Sequence, residues 1–128
     1  MSAFPKTRAA AGYAAGHGPG ELTRARAAIL LARLDACEDL LPGGDGDVPA
    51  ALHGLLRNLV LAARDLAGPA WLAAASDDPD IAAFTALQAT PAPPSPAGLD
   101  EIISRVLWAR FPPPGTPRDG GLSPGSCP

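Results

Sequence analysis

The clearest helical pattern in the chain lies in residues 47–67, whose sequence is DVPAALHGLLRNLVLAARDLA. Its apolar residues recur at intervals of three and four, so they share one face of a helix, while Arg57, Asn58 and the later charged residues fall on the other. Asp47 suits the N-cap position, and Pro49 suits the first turn, where its missing N–H costs nothing. We therefore predict a helix that ends near Ala67. Its core face would consist of Leu52, Leu55, Leu56, Leu59, Val60, Ala63 and Leu66.

The preceding segment, residues 20–41, carries two neighbouring apolar stripes at helical spacing. One stripe consists of Leu22, Ile29, Ala36 and Leu40, and the other of Leu30, Leu34, Cys37 and Leu41. Arg26 and Arg33 lie one heptad apart between the two stripes. Two interpretations stay open. Either the arginine stems lie along the surface with their guanidinium groups in water, or the helix packs on both sides and the arginines pair with acidic groups of a partner.

The rest of the chain predicts further helices separated by proline and glycine. A short helix is expected at 69–75, a fourth at 79–89 and a fifth at 96–110, because a proline stands at the first position of each. Residues 90–95 are a proline-rich linker within the domain.

The predicted architecture is all-α, a small antiparallel bundle of four main helices plus one short helix. It would occupy residues 20–111. Residues 1–19 are predicted to be a flexible N-terminal arm, and residues 112–128 a disordered tail rich in proline and glycine.

The composition supports this fold class. The 128 residues are 47% hydrophobic, with only 5% aromatic and 18% charged residues. Alanine and leucine dominate the apolar set, and both are strong helix formers, whereas strands draw on the branched and aromatic residues that are scarce here. The preference for arginine over lysine, with much alanine, glycine and proline, is typical of a bacterial genome of high GC content.

The charge of the chain argues against nucleic acid as a direct partner. The net charge is -3 and the isoelectric point is about 5.1. The one pair of helices that could resemble a helix-turn-helix would place residues 79–89 in the groove, and these contain no Lys or Arg. Phosphates would repel such a helix.

Several further features favour a cytoplasmic protein. No apolar run is long enough to span a membrane, and residues 1–20 lack the layout of a signal peptide. The two cysteines, Cys37 and Cys127, are too few for a secreted disulfide scaffold. No cofactor is predicted.

Candidate catalytic and metal-binding residues are few, and each has a simpler structural interpretation. Asp45 and Asp47 lack the glycine and glutamate that a calcium loop requires at its later positions. The cluster Asp77, Asp78 and Asp80 is explained by capping of the helix at 79–89. His53 is the one histidine in the predicted bundle, at the edge of a helix and without an evident nucleophile beside it.

Two apolar residues are predicted on otherwise polar faces. Leu61 lies opposite the core of its helix, and Trp108 lies opposite that of the last helix, followed closely by Phe111. Two interpretations of Trp108 stay open. Either it is an interface anchor, a role in which tryptophan is enriched, or it folds back and caps the end of the bundle. With Arg26 and Arg33, these residues form the predicted interaction set.

We therefore expect a non-enzymatic interaction or regulatory module whose partner is another protein or a second copy. The alternative is a helical bundle that binds a small ligand, or a minor enzyme, using His53 and nearby aspartates.

Overall fold

The computed structural model describes residues 4–40, 50–89 and 95–113, and these residues form helices and no strand. The all-α prediction is confirmed. The helices are α1 Pro5–His17, α2 Gly20–Leu40, α3 His53–Ala67, α4 Pro69–Ala74, α5 Pro79–Ala89 and α6 Pro96–Arg110, with a 3₁₀ turn Ala50–Leu52 before α3.

The predicted helix boundaries agree closely for α4, α5 and α6, whereas the helix predicted to start in the turn after Asp47 begins only at His53, after the 3₁₀ turn Ala50–Leu52. α5 and α6 have the predicted bounds, and α4 ends one residue earlier than expected. The backbone N–H of Asp80 donates to the carboxylate of Asp78 at 2.8 Å, so Asp78 caps α5 as predicted. Ser95 caps α6 by accepting from the N–H of Gly98 at 3.2 Å. The expected cap Asp47, most of the linker and the tail after Pro113 lie outside the described residues.

The N-terminal segment differs from the prediction. Residues 1–19 were expected to be a flexible arm, but residues 5–17 form α1, which packs against α2 and α6. Phe4, just before the helix, is fully buried. The bundle therefore has five long helices in its described part, where the sequence predicts four.

Small residues account for the close packing of α1. Its buried face consists of Thr7, Ala10, Ala11 and Ala14, at intervals of three, one and three. Short side chains let the backbones of neighbouring helices approach closely. The following turn is equally tight, because a Cβ on Gly18 would lie 2.5 Å from the carbonyl oxygen of Ala14 and 2.8 Å from Cγ2 of Thr23.

Side-chain contacts fix the order and direction of the helices. Arg8 of α1 pairs with Asp35 of α2 at 2.7 Å, and the backbone N–H of Phe4, just before α1, donates to the Glu38 carboxylate. The earlier residue of one segment thus meets the later residue of the other, so α1 and α2 are antiparallel. α3 runs antiparallel to α2, since Arg26 reaches the carbonyl of Asp65 while Cys37 reaches that of Leu55.

α6 lies beside α1 in the parallel direction, which departs from a purely antiparallel bundle. Lys6 pairs with Glu101 near the start of both helices, and Tyr13 meets Trp108 near their ends. α6 also contacts α3 and α5.

One face of α2 is covered by its two neighbours, α1 and α3.

Within the described residues, no helix combines the length and apolar character needed to cross a bilayer.

Candidate interaction face

The two apolar stripes of α2 have opposite environments. Leu30, Leu34 and Cys37 are buried in the core. The other stripe faces solvent, with Leu22 62%, Ile29 52% and Leu40 57% exposed. Together with exposed Leu61, at 39%, these are the large hydrophobic side chains that the described structure leaves exposed. Periodicity alone could not tell which of the two stripes the neighbouring helices would cover.

A groove between α2 and α3 joins this stripe to Leu61. The groove has a volume of about 270 Å³. Ile29, Leu61 and Ala62 supply its apolar surface, and polar groups stand around them. The lining residues are Arg26, Ile29 and Arg33 from α2, with Asn58, Leu61, Ala62 and Asp65 from α3. We call this the α2–α3 groove, and we call it together with Leu22, Ala36 and Leu40 the α2 face.

Arg26 and Arg33 both line the α2–α3 groove and are exposed. Arg26 donates to the backbone oxygen of Asp65 at 3.4 Å, a long contact. Neither arginine forms a salt bridge with any side chain in the described part of the chain. The groove therefore carries two cationic groups that are available to anionic groups of a ligand.

The structure brings together three of the five predicted interaction residues, namely Arg26, Arg33 and Leu61. Trp108 lies on α6, half-buried rather than exposed, with its ring 5.8 Å from that of Tyr13. Phe111 is only 7% exposed, and the Arg110 guanidinium stands 5.2 Å from its ring. Trp108 and Phe111 are thus held largely by the bundle itself, and Tyr13 of α1 lies beside Trp108 on the side of α6 that the sequence suggests is polar.

Trp108 lines a second groove, which the sequence did not reveal. This groove has a volume of about 930 Å³. Its walls come from α1, α6 and the start of α5, with Pro112 and Pro113 at one end. We call it the Trp108 groove. The Trp108 groove depends on α1, so a sequence that predicts a flexible arm over residues 1–19 does not predict this groove.

An ion-pair network crosses the Trp108 groove. Glu101 accepts from Lys6 at 2.6 Å and from Arg105 at 2.7 Å, and Arg105 lies 3.5 Å from Asp80. The hydrogen bond from Lys6, followed by that from Arg105, lowers the pKa of Glu101. The four charges of this groove therefore compensate one another, unlike the arginines of the α2–α3 groove.

The candidates for catalysis do not converge. His53 is the first residue of α3, is half-buried, and lines neither of the two grooves. Asp77 and Asp78 are exposed in the turn before α5, while Asp80 belongs to the ion-pair network. Among the described residues, no group of three or more His, Cys, Asp or Glu could hold a metal ion.

Cys37 is 2% exposed and donates to the carbonyl of Leu55 at 3.5 Å. Burial, reinforced by the charge of Glu38, raises the pKa of its thiol. A buried thiol with a raised pKa is a poor nucleophile.

Comparison with known proteins gives no match to a family model, to a curated protein or to a solved structure.

Proposed function

We propose that this chain is a non-enzymatic helical interaction module that binds another protein through the α2 face. The observation that carries the proposal is the exposure of one whole apolar stripe of α2 beside Leu61, while Leu30, Leu34 and Cys37 of the neighbouring stripe are buried.

The apolar content of the α2 face supports this proposal. A lone exposed leucine means little, because much of any protein surface is apolar. Here Leu22, Ile29 and Leu40 recur along a single helix, and Leu61 extends the surface onto α3. Ile29 and Leu61 share one groove with polar groups around them, and apolar surface rimmed by polar groups is typical of protein-binding sites.

The charged groups on this face support a binding role as well. Because surface ion pairs contribute only about 0–1 kcal/mol, the lack of carboxylate partners for Arg26 and Arg33 costs the free protein little stability. In a complex the same groups select a partner and set the association rate. Apolar anchors with cationic groups at the rim match the general anatomy of interfaces.

Site-specific photo-crosslinking in the native host tests the proposal. The photoreactive residue p-benzoylphenylalanine replaces Leu22, Ile29 or Leu61 in separate variants of the full chain. Ala73 and Ala82 are the matched control positions, because both are exposed and lie on α4 and α5. We expect one crosslinked product of defined mass from the three α2-face positions and none from the controls.

The proposal is wrong if crosslinking is absent at all three α2-face positions, or if it is equally strong at Ala73 and Ala82. Each variant is first checked for unchanged helical circular dichroism, so that a misfolded protein is not counted.

A second candidate function is the binding of a small ligand, which the size of the Trp108 groove favours. A volume of about 930 Å³ falls within the usual range for ligand sites. Trp108 would supply a flat apolar surface, and Asp80 is one of the aspartates that the sequence singles out. The pairing of the charges around the groove makes this candidate weaker than the first.

Tryptophan fluorescence tests this second candidate. The chain has two tryptophans, so a Trp71→Phe variant reports on Trp108 alone. A saturable change in its emission with a member of a metabolite set supports ligand binding in the Trp108 groove. An unchanged spectrum across the set argues against it.

A further inference from the structure

The α2 face presents its apolar and charged groups in a defined spatial pattern. Arg26 and Arg33 are seven residues apart on α2, which corresponds to about two turns, or 10 Å along the helix axis. Ile29 lies between them, and Leu61 faces them from α3 across the groove. The pattern is therefore an apolar centre between two cations on one edge.

We infer that the partner presents an acidic amphipathic helix, which lies along the α2–α3 groove with two carboxylates spaced two turns apart. This inference rests on the proposed function and specifies the chemistry of the partner. Leucine-like side chains of that helix would pack on Ile29 and Leu61, and its carboxylates would pair with Arg26 and Arg33. Helix-in-groove binding commonly uses anchors at such intervals.

The balance of charge in the groove favours an acidic occupant. Two arginines and one carboxylate, Asp65, line it, which leaves one net positive charge. Arg26 touches Asp65 only at the backbone oxygen. An arginine guanidinium donates two parallel hydrogen bonds to a carboxylate, so each arginine could bind one glutamate or aspartate of the partner.

A second copy of the chain fits this pattern less well. If two α2 faces met in an antiparallel pair, the same edges would face each other, and four arginines would gather against two Asp65 carboxylates. If they met in parallel, each arginine edge would face the edge that carries Glu21 and Asp39. Those residues are five and six positions from the nearest arginine, an axial offset of about 8–9 Å. Neither arrangement pairs the charges at matching heights.

A helix-display selection tests this inference on the full-length protein. The library consists of 16-residue helices with leucines on one face and Glu, Gln or Lys at each flanking position. It is panned against the wild-type protein, against the double variant Arg26→Glu with Arg33→Glu, and against the double variant Ile29→Ser with Leu61→Ser. Circular dichroism confirms that both variants stay folded.

On the wild-type protein we expect enrichment of glutamates seven positions apart. The Arg26→Glu, Arg33→Glu variant should instead enrich lysines at that spacing. For a selected peptide, replacing both glutamates with lysine should weaken binding by about tenfold or more, as expected when two rim ion pairs become repulsive.

The possible failures distinguish the inference from the proposed function. Leucine-rich helices enriched without a charge preference would overturn the acidic-partner inference and leave the α2 face as a protein-binding site. No enrichment over the Ile29→Ser, Leu61→Ser variant would overturn the inference of a helical partner, while the photo-crosslinking experiment decides the proposed function separately. A dimer of the wild-type protein in light scattering that the Ile29→Ser, Leu61→Ser variant abolishes would assign the face to a second copy, which also overturns the inference.

Discussion

The carboxylate of Asp100, on α6, accepts hydrogen bonds from the backbone N–H groups of Thr7 at 2.7 Å and Lys6 at 3.2 Å. The first N–H groups of a helix have no partner within the helix, and a carboxylate at this end also meets the positive end of the helix dipole. The hydroxyl of Thr7 in turn donates to the carbonyl of Asp100. Asp100, 93 positions from Thr7 in sequence, therefore acts as the N-terminal cap of α1.

Replacing Asp100 should show how much this distant cap contributes. We expect Asp100→Ala to lower the free energy of unfolding by about 2–3 kcal/mol, because a helix cap is lost and buried N–H groups are left without acceptors. Asp100→Asn should cost less, since one oxygen can still accept. Urea denaturation followed by circular dichroism measures the difference.

The matched control for this prediction is Asp80→Ala. Asp80 forms a surface ion pair with Arg105, so we expect a loss of less than about 1 kcal/mol. Equal losses for Asp100→Ala and Asp80→Ala would contradict the capping role.

Cys37 should react slowly with thiol reagents in the native protein. Its thiol is buried and its pKa is raised, so both access and thiolate population are low near neutral pH. In a Cys127→Ser variant, which leaves Cys37 as the single thiol, we expect slow colour development with Ellman's reagent at pH 7. Unfolding in urea should make the same reaction rapid and complete.

The raised pKa also gives a direction for stability against pH. The unfolded thiol ionises more readily than the folded one, so the contribution of Cys37 is present below the ordinary thiol pKa. This contribution to stability is lost as the pH rises towards the raised value.

For the labelling experiment, a rapid reaction of the native Cys127→Ser protein at pH 7 would show that Cys37 is not buried as the structure shows.

At the scale of the elements, α1 differs most from what the sequence predicts. Its buried side chains are alanines and a threonine, which produce almost no contrast between apolar and polar faces. Pro5 at the first position and the spacing of Thr7, Ala10, Ala11 and Ala14 were the available signals. Its anchors, Asp100 and Glu38, come from other helices, and no local pattern can reveal contacts of that kind.

Removing α1 should therefore destabilise the protein strongly. Phe4, which directly precedes α1, is fully buried. Deleting the side chain of this one residue already costs about 3–5 kcal/mol. That is a large part of the stability expected of a small domain. We expect deletion of residues 1–17 to abolish cooperative urea unfolding, and Phe4→Ala to lower the midpoint without abolishing it.

The substitution Ala9→Ser is the control, since Ala9 is exposed on the same helix. An unchanged midpoint in both the deletion and Phe4→Ala would restore the prediction of a flexible arm.

Helices α4, α5 and α6, which proline and glycine delimit, were predicted well, whereas α3 begins four residues after Pro49. α5 and α6 begin at Pro79 and Pro96, because a proline in the first turn fixes a start that propensity alone leaves uncertain. The spacing of apolar residues in 96–110 predicts a core face of Leu99, Ile102, Ile103, Val106 and Leu107; all of these are in the core except Ile102, which is only half-buried. Local chemistry sets these features, so the sequence suffices for them.

At the scale of the whole molecule, the candidate site depends on how the helices are arranged. The sequence shows two stripes on α2, and only the docking of α1 and α3 determines that the stripe with Ile29 stays exposed. The same arrangement brings Leu61 to Arg26 and Arg33, buries Phe111 and leaves Trp108 half-buried. These are long-range effects, which explains why the sequence singles out the two arginines but does not give the extent of the α2 face.

Quantitative co-purification of the tagged full-length protein from its native host tests the role of the α2 face most directly. Three baits are compared: the wild type, the double variant Ile29→Asp with Leu61→Asp, and the double variant Ala73→Asp with Ala82→Asp. The last two carry the same added charge, and the third places it on exposed positions of α4 and α5. We predict one partner at near-stoichiometric amount with the wild type and the third bait, and its loss with the second. Equal recovery of that partner by all three baits, or no partner with any of them, would contradict the assignment of the α2 face.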